Sequence, residues 1–218
     1  MGLLLLLTPA LAKEFLPLTI PSGLVEDYSV CRWSMEDGLP DNEVRSFCFT
    51  SDGFLWCLAG EHVVRFDGLA CVPLELPTGL PRDNDWQGVA ADQTGSLWLY
   101  GRGGAYHWSG TNWLEVFKSP VIWMQGGTSE VWATSTHALW TQNRLGEKSF
   151  LLPTSETIQA VALDTSQHIW LATDAHVWRF AQGEFQQETL PPECALRHVA
   201  QLAVGRDGTV WMASSEAL

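Results

Sequence analysis

The chain has 218 residues, of which 46% are hydrophobic and 17% charged, a balance that fits a globular protein and excludes a disordered one. Asp and Glu outnumber Lys and Arg by 25 to 12, and a net charge of −13 repels phosphate backbones, so no nucleic acid partner is expected. With 12 Trp, 19 Gly and 11 Pro, and no sustained helical period, the composition points to an all-β repeat architecture.

The chain opens with an apolar run, Leu3 to Leu7, followed by Ala10-Leu11-Ala12, a small-x-small pattern. Residues 1–12 therefore read as an export signal, which would place the protein at the periplasmic or extracytoplasmic face of the membrane. The run is too short to span a bilayer as a helix. Next, Tyr28 to Met35 alternates as an outer strand would, and residues 28–36 are a candidate ring-closing strand.

From there the sequence repeats. Five segments place an apolar residue and Trp after a turn: Asp52-Gly53-Phe54-Leu55-Trp56, Gly95-Ser96-Leu97-Trp98, Ser129-Glu130-Val131-Trp132, Ser166-Gln167-His168-Ile169-Trp170 and Asp207-Gly208-Thr209-Val210-Trp211. The Trp-to-Trp intervals are 42, 34, 38 and 41 residues. A second aromatic follows in four units, at Phe66, Trp108, Trp140 and Phe180. Each unit parses into four short strands joined by turns, and Pro191-Pro192 ends the fourth because proline cannot continue a ladder.

Four hairpin-linked strands make one antiparallel sheet with two apolar faces, which must stack on its neighbours. The expected fold is an all-β β-propeller of four-stranded antiparallel blades, part of a seven-bladed ring. Four blades are expected at residues 44–76, 87–117, 119–153 and 158–190, and a partial fifth at 198–218, within a partial propeller over 28–218. Trp56, Trp98, Trp132, Trp170 and Trp211 are expected as buried wedges between blades. A chain of four and a half blades leaves end faces open, so it is expected to be an incomplete domain that self-associates when isolated.

Residues Trp33 to Gly68 resemble the two-component regulator propeller repeats. The resemblance rests on Trp33, Glu36-Asp37-Gly38-Leu39-Pro40, Asn42, Val44, Asp52-Gly53, Leu55-Trp56 and Arg65-Phe66-Asp67-Gly68. This sequence departs from the family where Cys57-Leu58-Ala59-Gly60 stands in place of the usual Gly-Thr. The resemblance implies the extracytoplasmic sensor region of a hybrid histidine kinase or related regulator. It also implies a downstream transmitter or second propeller, and a homodimer in the full-length protein.

The chemistry-bearing residues fit a non-catalytic binding module. No nucleophile elbow or zinc-protease pair is present, and isolated D-x-x-G turns lack the oxygen ligands of a calcium loop, so neither cofactor nor metal is expected. His62, His107, His137 and His176 fall at or near third strands and read as structural. The cysteines form no C-x-x-C pair, and Cys48 and Cys57 flank one hairpin, leaving buried thiols or a bridge open.

Ligand contacts are expected on the loops joining one blade to the next. These hold Asp41, Asn42 and Glu43, then Arg82, Asp83, Asn84, Asp85 and Trp86, and finally Arg197 and His198. Charge, amide and aromatic groups together suit a saccharide or peptide. The competing class is a propeller lyase acting on polysaccharide or streptogramin, which would need a base, often with a metal, at the channel mouth.

Overall fold

In a computed structural model, the residues described are 32–74, 76, 86–92, 94–128, 130–143, 146–190 and 199–214. The first sheet holds β1 (Val44–Phe49), β2 (Leu55–Ala59), β3 (His62–Phe66) and β4 (Cys71–Leu74). The second holds β5 (Trp86–Ala91), β6 (Leu97–Gly101), β7 (Gly104–Trp108) and β8 (Trp113–Phe117). The third holds β9 (Trp123–Gly126), β10 (Val131–Thr134), β11 (Ala138–Asn143) and β12 (Gly146–Leu151). The fourth holds β13 (Ile158–Leu163), β14 (Ile169–Thr173), β15 (Val177–Ala181) and β16 (Glu184–Glu188). Among the described residues the fifth is two-stranded, with β17 (Val199–Val204) and β18 (Val210–Ser214).

Every pairing is antiparallel between consecutive strands, as the short polar turns dictate. The repeat Trp is the second residue of the second strand in all five sheets. Both faces of each sheet are apolar, so the core is divided into layers between sheets. Leu58, Val63 and Trp56 meet Val89, Leu97 and Leu99 between the first and second sheets. Trp98, Tyr100 and Phe117 meet Met124, Val131 and Ala133 at the next layer. Trp132 and Leu139 meet Ile158, Leu171 and Phe180, and Ala160, Ala172 and Trp170 meet Val199, Leu202 and Met212. Burying one Leu-sized side chain in such a layer contributes about 1.5–3 kcal/mol.

A register shift marks the second residue of four inner strands, at Arg45, Gln87, Gln159 and Ala200. Such a bulge turns one side chain out of the ladder. At two of them the freed side chain reaches the next sheet: Arg45 Nη1 donates to the Trp86 carbonyl, and Gln159 Oε1 accepts from Val199 N. Ser46 adds a second staple, donating from Oγ to the Val89 carbonyl and accepting from Val89 N. Gly88 has no room for a side chain there, since a Cβ would lie 2.5 Å from Tyr100 Oη and 2.7 Å from Ser46 Oγ.

Three expectations need correction or qualification. Of the candidate strand at 28–36, residues 28–31 lie outside the described residues, residues 32–34 form no strand, and Met35–Asp37 is a 3-10 turn. Ser34 and Asp37 cap that turn reciprocally, and Asn42 Oδ1 accepts from Met35 N, so local side chains satisfy the backbone better than a ladder would. The repeat Trp residues share one register but not one environment: Trp98 and Trp132 are buried, Trp56 and Trp170 half-buried, and Trp211 is 68% exposed. Trp211 lies with Gln201, Ala203 and Ala213 on a face that no described element covers. Cys48, Cys57 and Cys71 are free thiols. Cys57 pairs with Phe47 and Cys48 with Trp56, so Cys48 and Cys57 point to opposite faces of the sheet and cannot bridge. Burial pushes their thiols up to about 12 for Cys48 and about 11 for Cys57, which keeps both protonated.

Candidate functional site

The connections from outer to inner strands dock against the turns between second and third strands, which gathers them along one edge of the stack. Gly60 N donates to the Glu43 carbonyl, Val121 N to Gly101, Ile122 N to Thr134 and Ile158 N to Thr136. The last of these reaches from the fourth sheet to a turn of the third.

On this edge the fourth sheet carries a convergent polar cluster. Glu156 stands two residues before β13, and its side chain is only 14% exposed. Its carboxylate accepts from Thr173 Oγ1 at 2.7 Å, His176 Nδ1 at 2.7 Å and Trp178 Nε1 at 3.3 Å. Burial alone would raise the Glu156 carboxyl, but these hydrogen bonds together hold it below the usual carboxylate range. Glu156 is therefore ionised and can only accept, so His176 must donate from Nδ1. The ring stands edge-on to Trp178 with centroids 6.1 Å apart, and its side chain is 42% exposed. Beside it Asp174 Oδ1 accepts from Thr157 N, closing the same turn onto the incoming loop.

The repeat does not impose this cluster. Thr173 and His176 correspond to Ala59 and His62 in the first sheet, Gly101 and Gly104 in the second, and Ser135 and Ala138 in the third. Trp178 corresponds to Val64, Tyr106 and Trp140. Among the described residues the fourth sheet alone combines hydroxyl, imidazole and indole around a carboxylate. The sequence reading placed His176 correctly near a third strand but took it as structural. The available signal was Thr at three residues before it and Trp at two after.

A concavity of about 360 Å³ lies along the inner strands β1, β5 and β9, lined among others by Ser46, Phe49, Ala91, Tyr100 and Gln125. Burial pushes the Tyr100 phenol up to about 12, against the opposing hydrogen bonds from Ser46 and the Met124 backbone, so it stays neutral.

The residues singled out from sequence fare unevenly. Asp41 Oδ1 accepts from Glu43 N, Asn42 caps the 3-10 turn and Glu43 pairs with Arg45 at 3.0 Å, so all three are engaged in local structure. Trp86 is 3% exposed and packs edge-on to Tyr106, so its ring presents no stacking face to a ligand. Arg82, Asp83, Asn84, Asp85, Arg197 and His198 lie outside the described residues, as do residues 1–12. No helix among the described residues is long and apolar enough to cross a membrane.

Comparison with known proteins bears on what this scaffold is. Residues 38–59 match the two component regulator propeller family. No curated protein matches the sequence. Virginiamycin B lyase from Staphylococcus aureus is similar in structure, with a TM-score of 0.65 and 13% identity over 79% of this chain and 64% of that one. The extracellular domain of BT4673 from B. thetaiotaomicron, described as a hybrid two component system, gives a TM-score of 0.63 and 12% identity over 79% of this chain and 26% of that one. PorZ, a surface component of the type-IX secretion system of Porphyromonas gingivalis, gives 0.66 and 13% over 85% of this chain and 33% of that one. The chain thus spans less than two thirds of each of these proteins, and at such identities the likeness establishes the fold. With four four-stranded blades and a likeness to solved propellers, this chain has the β-propeller fold, and its segment across β1 and β2 is similar to the two component regulator propeller family.

Proposed function

We propose that the chain is an extracytoplasmic ligand-sensing module of a two-component-type signal transduction protein, non-catalytic in itself. The matched repeat at residues 38–59 carries the reading, and the likeness to an extracellular sensor domain supports it. In this reading the edge bearing Glu156 and His176 receives a small ligand, saccharide or peptide, and the sequence nominates Arg82, Asp83, Asn84, Asp85, Arg197 and His198 as further contacts. Occupancy is passed to a transmitter or second propeller elsewhere in the full-length protein, whose copies pair. Residues 1–12 direct export and are removed. Thermal-shift measurements with a saccharide and peptide panel test the reading: at least one ligand should raise the melting temperature in proportion to its occupancy. A folded protein that responds to none of them would sink it.

One observation favours a second reading. His176, oriented by Glu156, has the arrangement of a general base with its orienting carboxylate. A variant of the similar S. aureus lyase in which a histidine is replaced by alanine is described as catalytically inactive, and that structure contains quinupristin. Incubation with quinupristin, followed by mass spectrometry, separates the readings. A lyase would yield a new species of unchanged mass, since elimination within a ring adds no water, whereas a sensor leaves the compound intact.

A further inference from the structure

Resting on the ligand-binding reading, we propose that His176 and Asp174 recognise a primary ammonium group, such as a lysine side chain or peptide amino terminus. Because ionised Glu156 accepts from Nδ1, the neutral form of His176 keeps its proton there and leaves Nε2 as an acceptor on a side chain that is 42% exposed. Asp174 is exposed in the same turn, and among the described residues it is its Oδ1 that is engaged, by Thr157 N, which leaves Oδ2 as a second acceptor. The nearby cation of the sheet, Arg179, is already held by Glu188 at 2.9 Å and by Gln186 at 2.9 Å. The turn thus presents acceptors above a buried negative charge, on a chain of net charge −13.

That arrangement selects by charge and by donor count. An anion is repelled by Glu156 and Asp174, and a lone hydroxyl has one proton to give to two acceptors. An ammonium group carries three donors on a compact charge and can serve the imidazole and the carboxylate at once. Trp178 is buried, so among the described residues the cluster offers a sugar ring no open aromatic face to stack on.

The test uses the full chain labelled with 15N-histidine, titrated with tri-lysine, tri-glutamate and maltotriose at fixed ionic strength. In the free protein His176 should show the Nδ1–H tautomer, and tri-lysine alone should shift its Nε2 resonance. Both His176→Ala and Asp174→Asn should weaken tri-lysine binding about tenfold, the worth of one charge-assisted hydrogen bond. The control His62→Ala, at the equivalent turn of the first sheet, should leave binding unchanged. Equal tri-lysine affinity in His176→Ala and wild type would overturn the proposal, since the attraction would then be only that of an acidic surface. A His176 shift with maltotriose or tri-glutamate but not tri-lysine would also overturn it, while leaving the ligand-binding reading standing. Should His176→Ala fail to fold, Asp174→Asn and His176→Gln carry the same comparison.

Discussion

The third and fourth sheets are built from the same repeat, yet they solve its problems differently. In the fourth, Asp164 opens a five-residue turn and its carboxylate accepts from Ser166 N, His168 N and Trp170 Nε1, so turn and wedge are one unit. Asp92 does the same for Trp98 in the second sheet. The third sheet has a shorter turn closed by Gly127 N to the Glu130 carbonyl, an inner strand with no bulge, and Glu130 bonded across to Thr141. Its Trp132 is held by packing, with Leu139, Leu152 and Phe180 around it. Polar anchoring and apolar burial both serve to fix the wedge, together at Trp98 and by burial at Trp132, and the fourth sheet, rich in polar anchors, is also the one that carries the Glu156 cluster.

The largest effect should come from removing the packed wedge. Trp132→Ala empties a buried site and should cost about 3–5 kcal/mol, seen as a lowered denaturant midpoint. Trp211→Ala, at the same register but exposed, should cost less than about 1 kcal/mol. Equal costs would show that the wedge acts through its own sheet and not through the layer beside it.

Next comes the carboxylate that organises the fourth sheet. Glu156→Gln removes a charged acceptor from three donors and should cost about 1–3 kcal/mol at neutral pH. Because folding lowers the Glu156 pKa from 4.5, its stabilisation is complete above that value and is lost as pH falls through the lower folded one. The gap between wild type and Glu156→Gln should therefore close on acidification. A gap that stays constant down to low pH would mean that the ionised carboxylate is not what holds the cluster. Glu130→Gln in the third sheet takes the charge from one hydroxyl bond, which the amide oxygen can still accept, and should cost less.

A smaller loss, about 1 kcal/mol, is expected from Gln159→Ala, which removes the acceptor for Val199 N across two sheets. No such substitution exists in β9, which has no bulge to aim a side chain. Amide exchange at Val199 reads the effect directly, since its N–H should lose protection while β13 keeps its own. Unchanged protection would mean that backbone packing alone holds the fifth sheet.

How much of this was legible in the sequence follows from the range of each interaction. The turn, the apolar residue and the Trp lie within a few positions of one another, so the five second strands and their common register could be read directly. The 3-10 turn at Met35–Asp37 was misread as strand because alternation at Tyr28, Val30 and Arg32 masked the reciprocal cap between Ser34 and Asp37. Glu156 and His176 are separated by 20 residues and meet only because a hairpin folds one edge back on the incoming loop. Trp86 looked like a loop aromatic because it follows four polar residues, but it is the first residue of β5 and faces the core layer. Bulges leave little mark in the sequence: Arg45, Gln87, Gln159 and Ala200 share a position, but two are Gln and the others a cation and an alanine, so no single residue type signals it.

The smallest effect is expected where two costs oppose. Gln167 occupies the turn position that Gly53, Gly95 and Gly208 fill elsewhere, and like them it has positive φ, at 67°. A non-glycine residue there is strained by roughly 1 kcal/mol, so Gln167→Gly should relieve the turn. Yet Gln167 Oε1 accepts from Thr128 N of the third sheet at 2.8 Å, and glycine would forfeit that bond, worth about 1 kcal/mol. The two terms should nearly cancel, leaving the melting temperature almost unchanged while exchange at the Thr128 amide accelerates. Gln167→Ala keeps the strain and loses the bond, so it should be the less stable variant by about 1 kcal/mol. If Gln167→Gly instead destabilised as much as Gln167→Ala, turn strain would be negligible. The side chain would then be retained solely to tie the fourth sheet to the third, the one interface where the inner strand offers no bulge for the purpose.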